Sequence, residues 1–227
     1  MPSLGANVLS LQEFGPETKA EVESMEGWSC EWQKGRYDVK GIAVLAHCPF
    51  EIVEVEFSFP CAISTRIRRP DAADFRFVGF WGMTPIDMPT DDYPMQAREV
   101  IHLACADDLP TVIAGDFNAK WLNADHQDNV AALTSHGLVE AYHEFHDMDM
   151  ASDDWNDATL YWYWSRHRRY HMDYIWLPSD WPVLDVEVGS YETYVEPRIS
   201  DHVPVAVTVG PGTPSSTHWE SGASEAK

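Results

Sequence analysis

The sequence has few cations, few cysteines and no long apolar run, and each shortage narrows the possible functions. Lysine occurs only five times in 227 residues, and the formal net charge is −22. Such a charge repels polyanions, which disfavours a broad electrostatic grip on duplex nucleic acid. An acidic, lysine-poor chain also suits a salty cytoplasm, where dissolved ions screen its charges.

Membrane and secretory signals are also missing from the sequence. No segment approaches the roughly 20 consecutive apolar residues of a membrane-spanning helix, and residues 1–5 lack the basic region and apolar stretch of a secretory signal. The four cysteines are scattered, with no Cys-x-x-Cys spacing. We therefore expect a cytoplasmic location with free, buried thiols rather than disulfides or a zinc site, and no membrane span.

The apolar content is sufficient for one large core, because 44% of the residues are hydrophobic and 12% are aromatic. A chain of this length needs no second domain, so residues 1–209 are predicted to fold as one unit. Residues 210–227 are rich in Gly, Ser, Thr and Pro and show no apolar period. They are predicted to form a disordered tail.

Strands predominate in the predicted secondary structure. Alternating apolar and polar residues indicate half-buried strands, and the predicted strands cover 4–13, 28–33, 39–46, 53–59, 63–68, 75–81, 111–116, 138–145, 159–164, 170–177, 183–188 and 203–209. Helices are predicted over 16–26, 92–106 and 125–136, with an acidic loop over 85–94. Many strands with few helices between them favour two sheets packed face to face, with helices outside.

Residues 111–118 are the starting point for interpreting the other motifs of the chain. The apolar run 111–114 ends in Gly115-Asp116-Phe117-Asn118, as a buried strand would if it delivered two polar side chains into a cleft. Read alone, the stretch fits a simple turn equally well. Acidic or imidazole groups also stand at the ends of three other strand-like runs, at Glu13, Asp173 and Asp201-His202. That pattern suits metal-assisted phosphoryl chemistry.

These pieces, in this order, resemble the endonuclease/exonuclease/phosphatase superfamily, whose fold is that of deoxyribonuclease-type enzymes. The matching segments are Leu11-Gln12-Glu13, Gly115-Asp116-Phe117-Asn118, His171-Met172-Asp173-Tyr174-Ile175 and Ser200-Asp201-His202-Val203-Pro204-Val205. The resemblance implies a four-layer α/β sandwich in which two mixed, mainly antiparallel sheets lie face to face with helices outside. It covers about residues 4–209.

The resemblance also implies roles for the matching residues. Glu13 and Asp201 would hold Mg²⁺ or Mn²⁺, since a hard cation takes one or two carboxylates with water and substrate oxygens. Asp116 would orient and deprotonate the attacking water, and Asn118 would donate a hydrogen bond to a phosphate oxygen. Read alone, Glu13 fits a solvated strand end somewhat better.

The Asp201-His202 pair belongs to the same implied site. The histidine would act on the scissile phosphate, and Asp173 would hydrogen-bond its ring and fix its tautomer and charge. Without the other motifs, an Asp-His-x-Pro sequence favours a turn before a strand.

Substrate contacts are predicted at four further positions. Arg168 and Arg169 lie in the main basic cluster, inside an aromatic block, where arginine suits phosphate and aromatic faces suit bases. The alternative is a hairpin turn with solvated arginines. His171 would approach the site only if its strand is regular, and Trp81 stands where many relatives place a histidine or tyrosine.

Two departures from the family pattern keep a rival function open. Trp81 is a weaker phosphate contact than the usual histidine or tyrosine, and the family's first strand, which carries an asparagine, has no counterpart before Glu13. The leading hypothesis is a Mg²⁺- or Mn²⁺-dependent phosphodiesterase or endonuclease, with a phosphate ester such as nucleic acid as substrate and no obligate protein partner. The alternatives are a phosphomonoesterase or phospholipid-type hydrolase, or a catalytically impaired binding module.

Overall fold

The computed structural model describes residues 5–35, 39–70, 72–83, 93–153 and 155–210. Strands make up most of the regular structure in these ranges, in one sheet of six strands, one of three and two of two. The main core lies between the facing sheets, because one apolar cluster contains residues of the six-stranded sheet together with Ile42, Val44 and Ala46 of the three-stranded sheet. A second, smaller cluster on the other face of the three-stranded sheet includes Phe14, Val22 and Cys30. This distribution of strands follows the alternation seen in the sequence.

The largest sheet carries the polar residues of the Gly-Asp-x-Asn stretch. Its strands, in spatial order, are β4 (Glu51–Phe59), β5 (Ala62–Arg68), β6 (Phe75–Trp81), β7 (Thr111–Asp116), β11 (Asp173–Pro178) and β8 (Leu138–Glu140). Only β6 and β7 run parallel, and the others pair antiparallel. These two central strands are buried along almost their whole length, which explains their nearly continuous apolar sequences.

The remaining strands form smaller sheets. They are the three-stranded β1 (Val8–Phe14), β3 (Gly41–His47) and β2 (Trp28–Lys34), the pair β12 (Val183–Val188) and β13 (Val205–Val209), and the hairpin β9 (Leu160–Tyr161) and β10 (Arg169–Tyr170). Strands β1 and β3 pack across β6 of the large sheet. The second large sheet expected from the sequence is therefore divided, because no described strand joins β1 to β13.

Helices cover the outer faces of the facing sheets. They are α1 (Pro16–Glu23), α2 (Tyr93–Ala104), α3 (Ala124–Ser135), α4 (Ala141–Phe145) and α5 (Tyr191–Tyr194). Helix α1 packs on β2, whereas α2 and α3 contact each other outside the six-stranded sheet. Asn123 caps α3, because its side chain accepts hydrogen bonds from two main-chain N–H groups of the first turn. The predicted mixed α/β fold with helices outside is confirmed.

Several predicted elements differ from the structure. The strand predicted over 138–145 is wrong after Glu140, whose carboxylate accepts a hydrogen bond from the main-chain N–H of His143 and starts α4. The strand predicted over 159–164 ends at Tyr161 and continues as one turn of 3-10 helix. Most of the predicted loop 85–94 and almost all of the tail 210–227 lie outside the described residues.

The absences predicted from composition can be checked in part. No helix among the described residues has both the length and the apolar character that crossing a membrane requires. All four cysteines are free, with Cys30 and Cys61 buried, Cys105 half-buried and Cys48 exposed. The expectation that the cysteines are buried is therefore met by Cys30 and Cys61 but is wrong for Cys48 and Cys105.

Candidate active site

The candidate site lies at the edge of the large sheet where β6 and β7 end and their neighbour β11 begins. In the register of the sheet, Asp116 at the end of β7 stands directly opposite Asp173 at the start of β11. On its other side, Asp116 pairs with Trp81 at the end of β6. Two carboxylates that are far apart in sequence are thus adjacent because β7 and β11 are antiparallel neighbours.

Gly115 makes this junction possible. Its φ is +151°, and a Cβ atom there would lie 1.8 Å from the main-chain oxygen of Phe80 on β6. The same oxygen accepts a hydrogen bond from the Gln12 side chain on β1, at 3.3 Å. Only glycine allows such a close approach of the backbones, so the Gly-Asp sequence sets the position of the following carboxylate.

The side chain of Asp116 is fixed by Asn118. One carboxylate oxygen accepts the main-chain N–H of Asn118 at 2.8 Å, and the other accepts its side-chain amide, also at 2.8 Å. The amide nitrogen also donates to the main-chain oxygen of Gly82 at 2.6 Å. Both amide hydrogens are therefore used within the protein, and the structure makes Asn118 a positioning residue for Asp116 rather than the phosphate donor expected from the sequence.

The second half of the site is a carboxylate–imidazole pair. The Nδ1 atom of His202 lies 2.9 Å from the Oδ2 atom of Asp173. The other ring nitrogen, Nε2, has no hydrogen-bond partner among the described residues. A hydrogen bond on Nδ1 fixes the orientation of the ring and leaves Nε2 for an incoming group.

Thr159, which the sequence analysis missed, holds this pair in place. Its hydroxyl oxygen accepts the main-chain N–H groups of Met172 and Asp173, at 3.0 and 3.1 Å. Its main-chain oxygen accepts the N–H of Val203 at 2.8 Å, one residue beyond His202. Thr159 is fully buried, and this one residue ties Asp173, through its hydroxyl, to the histidine segment, through its main-chain oxygen. No local motif marks it in the sequence.

Burial and mutual repulsion set the charges of the site. Burial and the neighbouring carboxylate of Asp173 raise the pKa of Asp116 well above its usual range. Burial alone would lower the pKa of His202, but the attraction and hydrogen bond of Asp173 outweigh it and raise that pKa to about 10. His202 is therefore a cation at neutral pH, with both ring nitrogens protonated.

The site contains three side chains whose spacing could accommodate a metal ion, and they differ from the two ligands predicted. One ligand atom from each of Asp116, Asp173 and His202 lies within 4.8 Å of the others. Glu13 lies in a bulge of β1, at a φ of 57°, and its carboxylate forms an ion pair with Lys40. Asp201 contributes to the raised pKa of His202. Metal binding by Glu13 and Asp201 stays a prediction.

The four predicted substrate contacts have different environments. Arg168 and Arg169 are exposed at the β9–β10 hairpin, and Trp81 is buried beside Asp116. His171 is only 6% exposed, and its ring stacks on Trp155 with centroids 3.8 Å apart. The structure therefore places His171 in the aromatic core, and we no longer count it among the substrate contacts.

A cleft of about 810 Å³ opens beside Asn118. Its lining includes Tyr93, Lys120, Asn123 and Met172, and the Lys120 ammonium lies 4.5 Å from the ring centroid of Tyr170. The volume falls within the usual range for a small-molecule site. Sequence reasoning did not single out Lys120, although it lies two residues beyond Asn118.

Comparison with known proteins identifies the family to which the chain belongs. The model of the Endonuclease/Exonuclease/phosphatase family matches residues 2–202, which is most of the sequence. The chain belongs to this family. A sequence comparison with curated proteins finds no match. Members of the family are hydrolases of phosphoesters.

Solved structures with the same fold include three informative ones. The human Nocturnin catalytic domain is 17% identical with a TM-score of 0.60, covering 90% of this chain and 82% of that one. A family protein from Leptotrichia buccalis is 16% identical, with a TM-score of 0.64 and coverages of 91% and 88%. An AP endonuclease from Archaeoglobus fulgidus is 15% identical, with a TM-score of 0.62 and coverages of 90% and 89%. At these identities the likeness shows the fold alone.

Enzymes of the family generally use divalent metals, and the residues of this member fit such an ion. Carboxylates of Asp116 and Asp173 stand beside His202 in a group of suitable size. Burial and the neighbouring carboxylate of Asp173 raise the pKa of Asp116, and a bound cation would offset both effects by favouring the ionised carboxylate. Carboxylate ligands suit Mg²⁺ and Mn²⁺.

Proposed function

We propose that this family member is a divalent-metal-dependent phosphodiesterase that hydrolyses its substrate with an activated water. The observation that carries the proposal is the convergence of Asp116, Asn118, Asp173 and His202 from three separate segments of the chain. Their contacts of 2.8 to 2.9 Å link a buried carboxylate to its amide and an imidazole to its carboxylate. Phosphodiester hydrolysis needs a water-orienting base and a donor to the phosphate oxygens, and this set supplies both.

Asp116 is the proposed base. Two hydrogen bonds from Asn118 hold its carboxylate in one orientation. Each carboxylate oxygen can accept two hydrogen bonds, so both retain capacity for a water molecule. A water held in line with the phosphorus no longer has to be captured from solution. The reaction then takes place within one complex, and this positioning supplies a large part of the rate enhancement in such reactions.

His202 is the proposed donor to the phosphate. Asp173 holds its Nδ1 atom, and Nε2 is free to donate to a phosphoryl oxygen or to the leaving oxygen. A cationic imidazole also offsets charge that develops on the phosphoryl group. The buried hydroxyl of Thr159 holds the pair in position by accepting a hydrogen bond from the main-chain N–H of Asp173.

A bound Mg²⁺ or Mn²⁺ would supply charge neutralisation at the phosphoryl oxygens. The carboxylates of Asp116 and Asp173 could hold it, and Glu13 and Asp201 are the additional ligands that the family resemblance implies. The exposed carboxylate of Glu13 would have to leave Lys40 to do so. His202, with both ring nitrogens protonated, would donate to the phosphate and would not bind the metal.

The overall charge bears on the substrate. A net charge of −22 opposes the approach of long duplex DNA. Short or single-stranded phosphodiesters carry fewer charges, and they fit the proposal better at ordinary ionic strength. Molar salt would weaken this discrimination, since the Debye length falls to about 3 Å at 1 M.

The test compares site variants with matched controls on bis-p-nitrophenyl phosphate in Mg²⁺ or Mn²⁺. Asp116→Asn and His202→Gln should each lower turnover by about a hundredfold or more, as expected for loss of a general acid or base. Asp128→Asn and His136→Gln make the same chemical changes at exposed positions and should retain full turnover. If Asp116→Asn or His202→Gln were as active as its control, the assigned roles would be wrong.

A further inference from the structure

An aromatic hairpin stands beside His202 and takes no part in the chemistry described so far. We define it as residues 160–170, comprising β9, the 3-10 turn Trp162–Trp164 and β10. Leu160 forms an isolated bridge with His202, and the N–H of Tyr161 donates to the main-chain oxygen of Asp201 at 2.8 Å. The aromatic hairpin is thus bonded directly to the segment that carries the imidazole.

The tip of the aromatic hairpin holds large aromatic rings in solvent. Trp162 is 47% exposed and Tyr163 is 73% exposed. Tyr163 and Trp164 also have left-handed backbones, with φ of 54° and 60°. Bulky residues rarely adopt this conformation, and backbone strain of this kind clusters at functional sites. An ordinary hairpin turn would use glycine or asparagine here.

The hairpin conformation is held by contacts from its neighbours. The hydroxyl of Tyr191 donates to the main-chain oxygen of Trp164 at 2.9 Å, and the N–H of Trp162 donates to the oxygen of Arg168 at 2.8 Å. The guanidinium of Arg198 lies over the Trp164 ring, 4.8 Å from its centroid. These contacts fix the turn while Trp162 and Tyr163 stay exposed, with their two rings in edge-to-face contact at a centroid distance of 5.4 Å.

Positive charge is concentrated around the same rings. Arg166, Arg168, Arg169 and Arg198 all lie in or against the aromatic hairpin, although the chain has only 15 lysines and arginines. Arg166 is paired with Glu192 at 2.8 Å. Within the described residues, Arg168 and Arg169 have no ion-pair partner. A local cationic surface next to the catalytic histidine is therefore present in a strongly acidic protein.

From these features we propose that the aromatic hairpin binds unpaired nucleobases of single-stranded nucleic acid, whose neighbouring phosphate reaches His202. Exposed aromatic faces stack on bases of any sequence, and arginines track the backbone between them. Bases in a duplex are already stacked and cannot offer their faces. The inference rests on the proposed function, because it names the substrate class of that same site.

A lipid surface is the competing ligand for exposed tryptophan and tyrosine beside arginine. The observations favour the nucleobase for two reasons. The aromatic hairpin is bonded to the reacting segment, which positions a bound chain for cleavage, and the acidic remainder of the molecule opposes approach to a broad anionic membrane.

Binding can be tested apart from turnover. Fluorescence anisotropy in EDTA would compare a labelled oligothymidylate with an oligomer of equal length built from abasic units, which has the same charge without bases. We expect the wild-type protein to bind oligothymidylate about tenfold more tightly or better, because stacking contributes about 1–3 kcal/mol per base. Trp162→Ala should abolish that preference, and Trp162→Phe should retain most of it.

Two further variants guard against misfolding and non-specific loss. Glycine accepts a φ of 54°, so Tyr163→Gly removes a ring without backbone strain and should also weaken binding to oligothymidylate. Phe145→Ala removes an exposed ring on α4, away from the aromatic hairpin, and should change nothing. Arg168→Ala should weaken binding to both oligomers.

Equal binding of the two oligomers, or a Trp162→Ala variant that matches Phe145→Ala, would overturn the proposal. Sedimentation with phosphatidylserine vesicles that depends on Trp162, without a base preference, would do the same and would assign the surface to a membrane. Base-dependent binding without hydrolysis of any phosphodiester would refute the proposed function and leave the aromatic hairpin as a nucleic-acid-binding surface.

Discussion

His126 should make the fold sensitive to acid. It lies on α3, fully buried, and its ring stacks on Tyr174 with centroids 5.1 Å apart. Neither ring nitrogen has a hydrogen-bond partner in the described part of the chain. Burial lowers the pKa of His126 from 6.5 to about 4, against a small opposing attraction from Glu140. The ring is therefore neutral in the folded protein at neutral pH.

The size of the effect follows from that pKa change. As the pH falls below 6.5, the unfolded chain takes up a proton on His126 that the folded protein does not bind until about pH 4. Each unit of difference corresponds to about 1.4 kcal/mol. The stabilisation is fully present above pH 6.5, and about 3 kcal/mol of the free energy of unfolding is lost as the pH falls to about 4.

Urea unfolding at a series of pH values tests this reasoning. His126→Phe keeps a ring and removes no hydrogen bond, so its free energy of unfolding should fall by about 3 kcal/mol less than that of the wild type between pH 6.5 and 4. His136→Phe, at the exposed end of the same helix, should follow the wild-type curve. Parallel curves for the wild type and His126→Phe would refute the buried neutral state.

Two further predictions concern residues that build the site. Gly115→Ala would place a Cβ atom 1.8 Å from a main-chain oxygen of β6 and should destabilise the protein severely in thermal unfolding. The control is Gly137→Ala, because Gly137 has a φ of +75° and no atom within 4 Å of a Cβ placed there. That variant should lower the free energy of unfolding by only about 1 kcal/mol. Similar melting temperatures for both would contradict the close approach. Thr159→Val leaves two buried N–H groups unpaired and should cost about 1–3 kcal/mol, with lower kcat because Asp173 loses its anchor. Thr159→Ser keeps the hydroxyl and should behave as wild type, and a fully active Thr159→Val would rule out the anchoring role.

Elements with a strong local pattern were predictable from the sequence. β6 and β12 have the predicted bounds, because each is an apolar or alternating run closed by turn-forming residues. α4 was not predictable as a helix, since its start depends on the Glu140 side chain capping a five-residue segment. β10 and β11 were predicted as one strand, and the break between them depends on Thr159 binding two consecutive N–H groups from a distant segment.

The residues of the candidate site also divide into those that the sequence could nominate and those whose role depends on distant contacts. Motif order was sufficient to nominate Asp116, Asp173 and His202, which the fold brings within 4.8 Å of one another. The sequence could not show that Asn118 donates both amide hydrogens to acceptors within the protein, or that the side chain of His171 packs in the aromatic core. Both outcomes depend on packing between distant segments, as does the exposure of Trp162 and Tyr163.

Metal-dependent release of p-nitrophenol from bis-p-nitrophenyl phosphate by the wild-type protein tests the central claim most directly. The account predicts steady release in Mg²⁺ or Mn²⁺ that stops when EDTA is added and returns with excess metal. Release that continues unchanged in EDTA, or no release with either metal at low and at molar KCl, would contradict it.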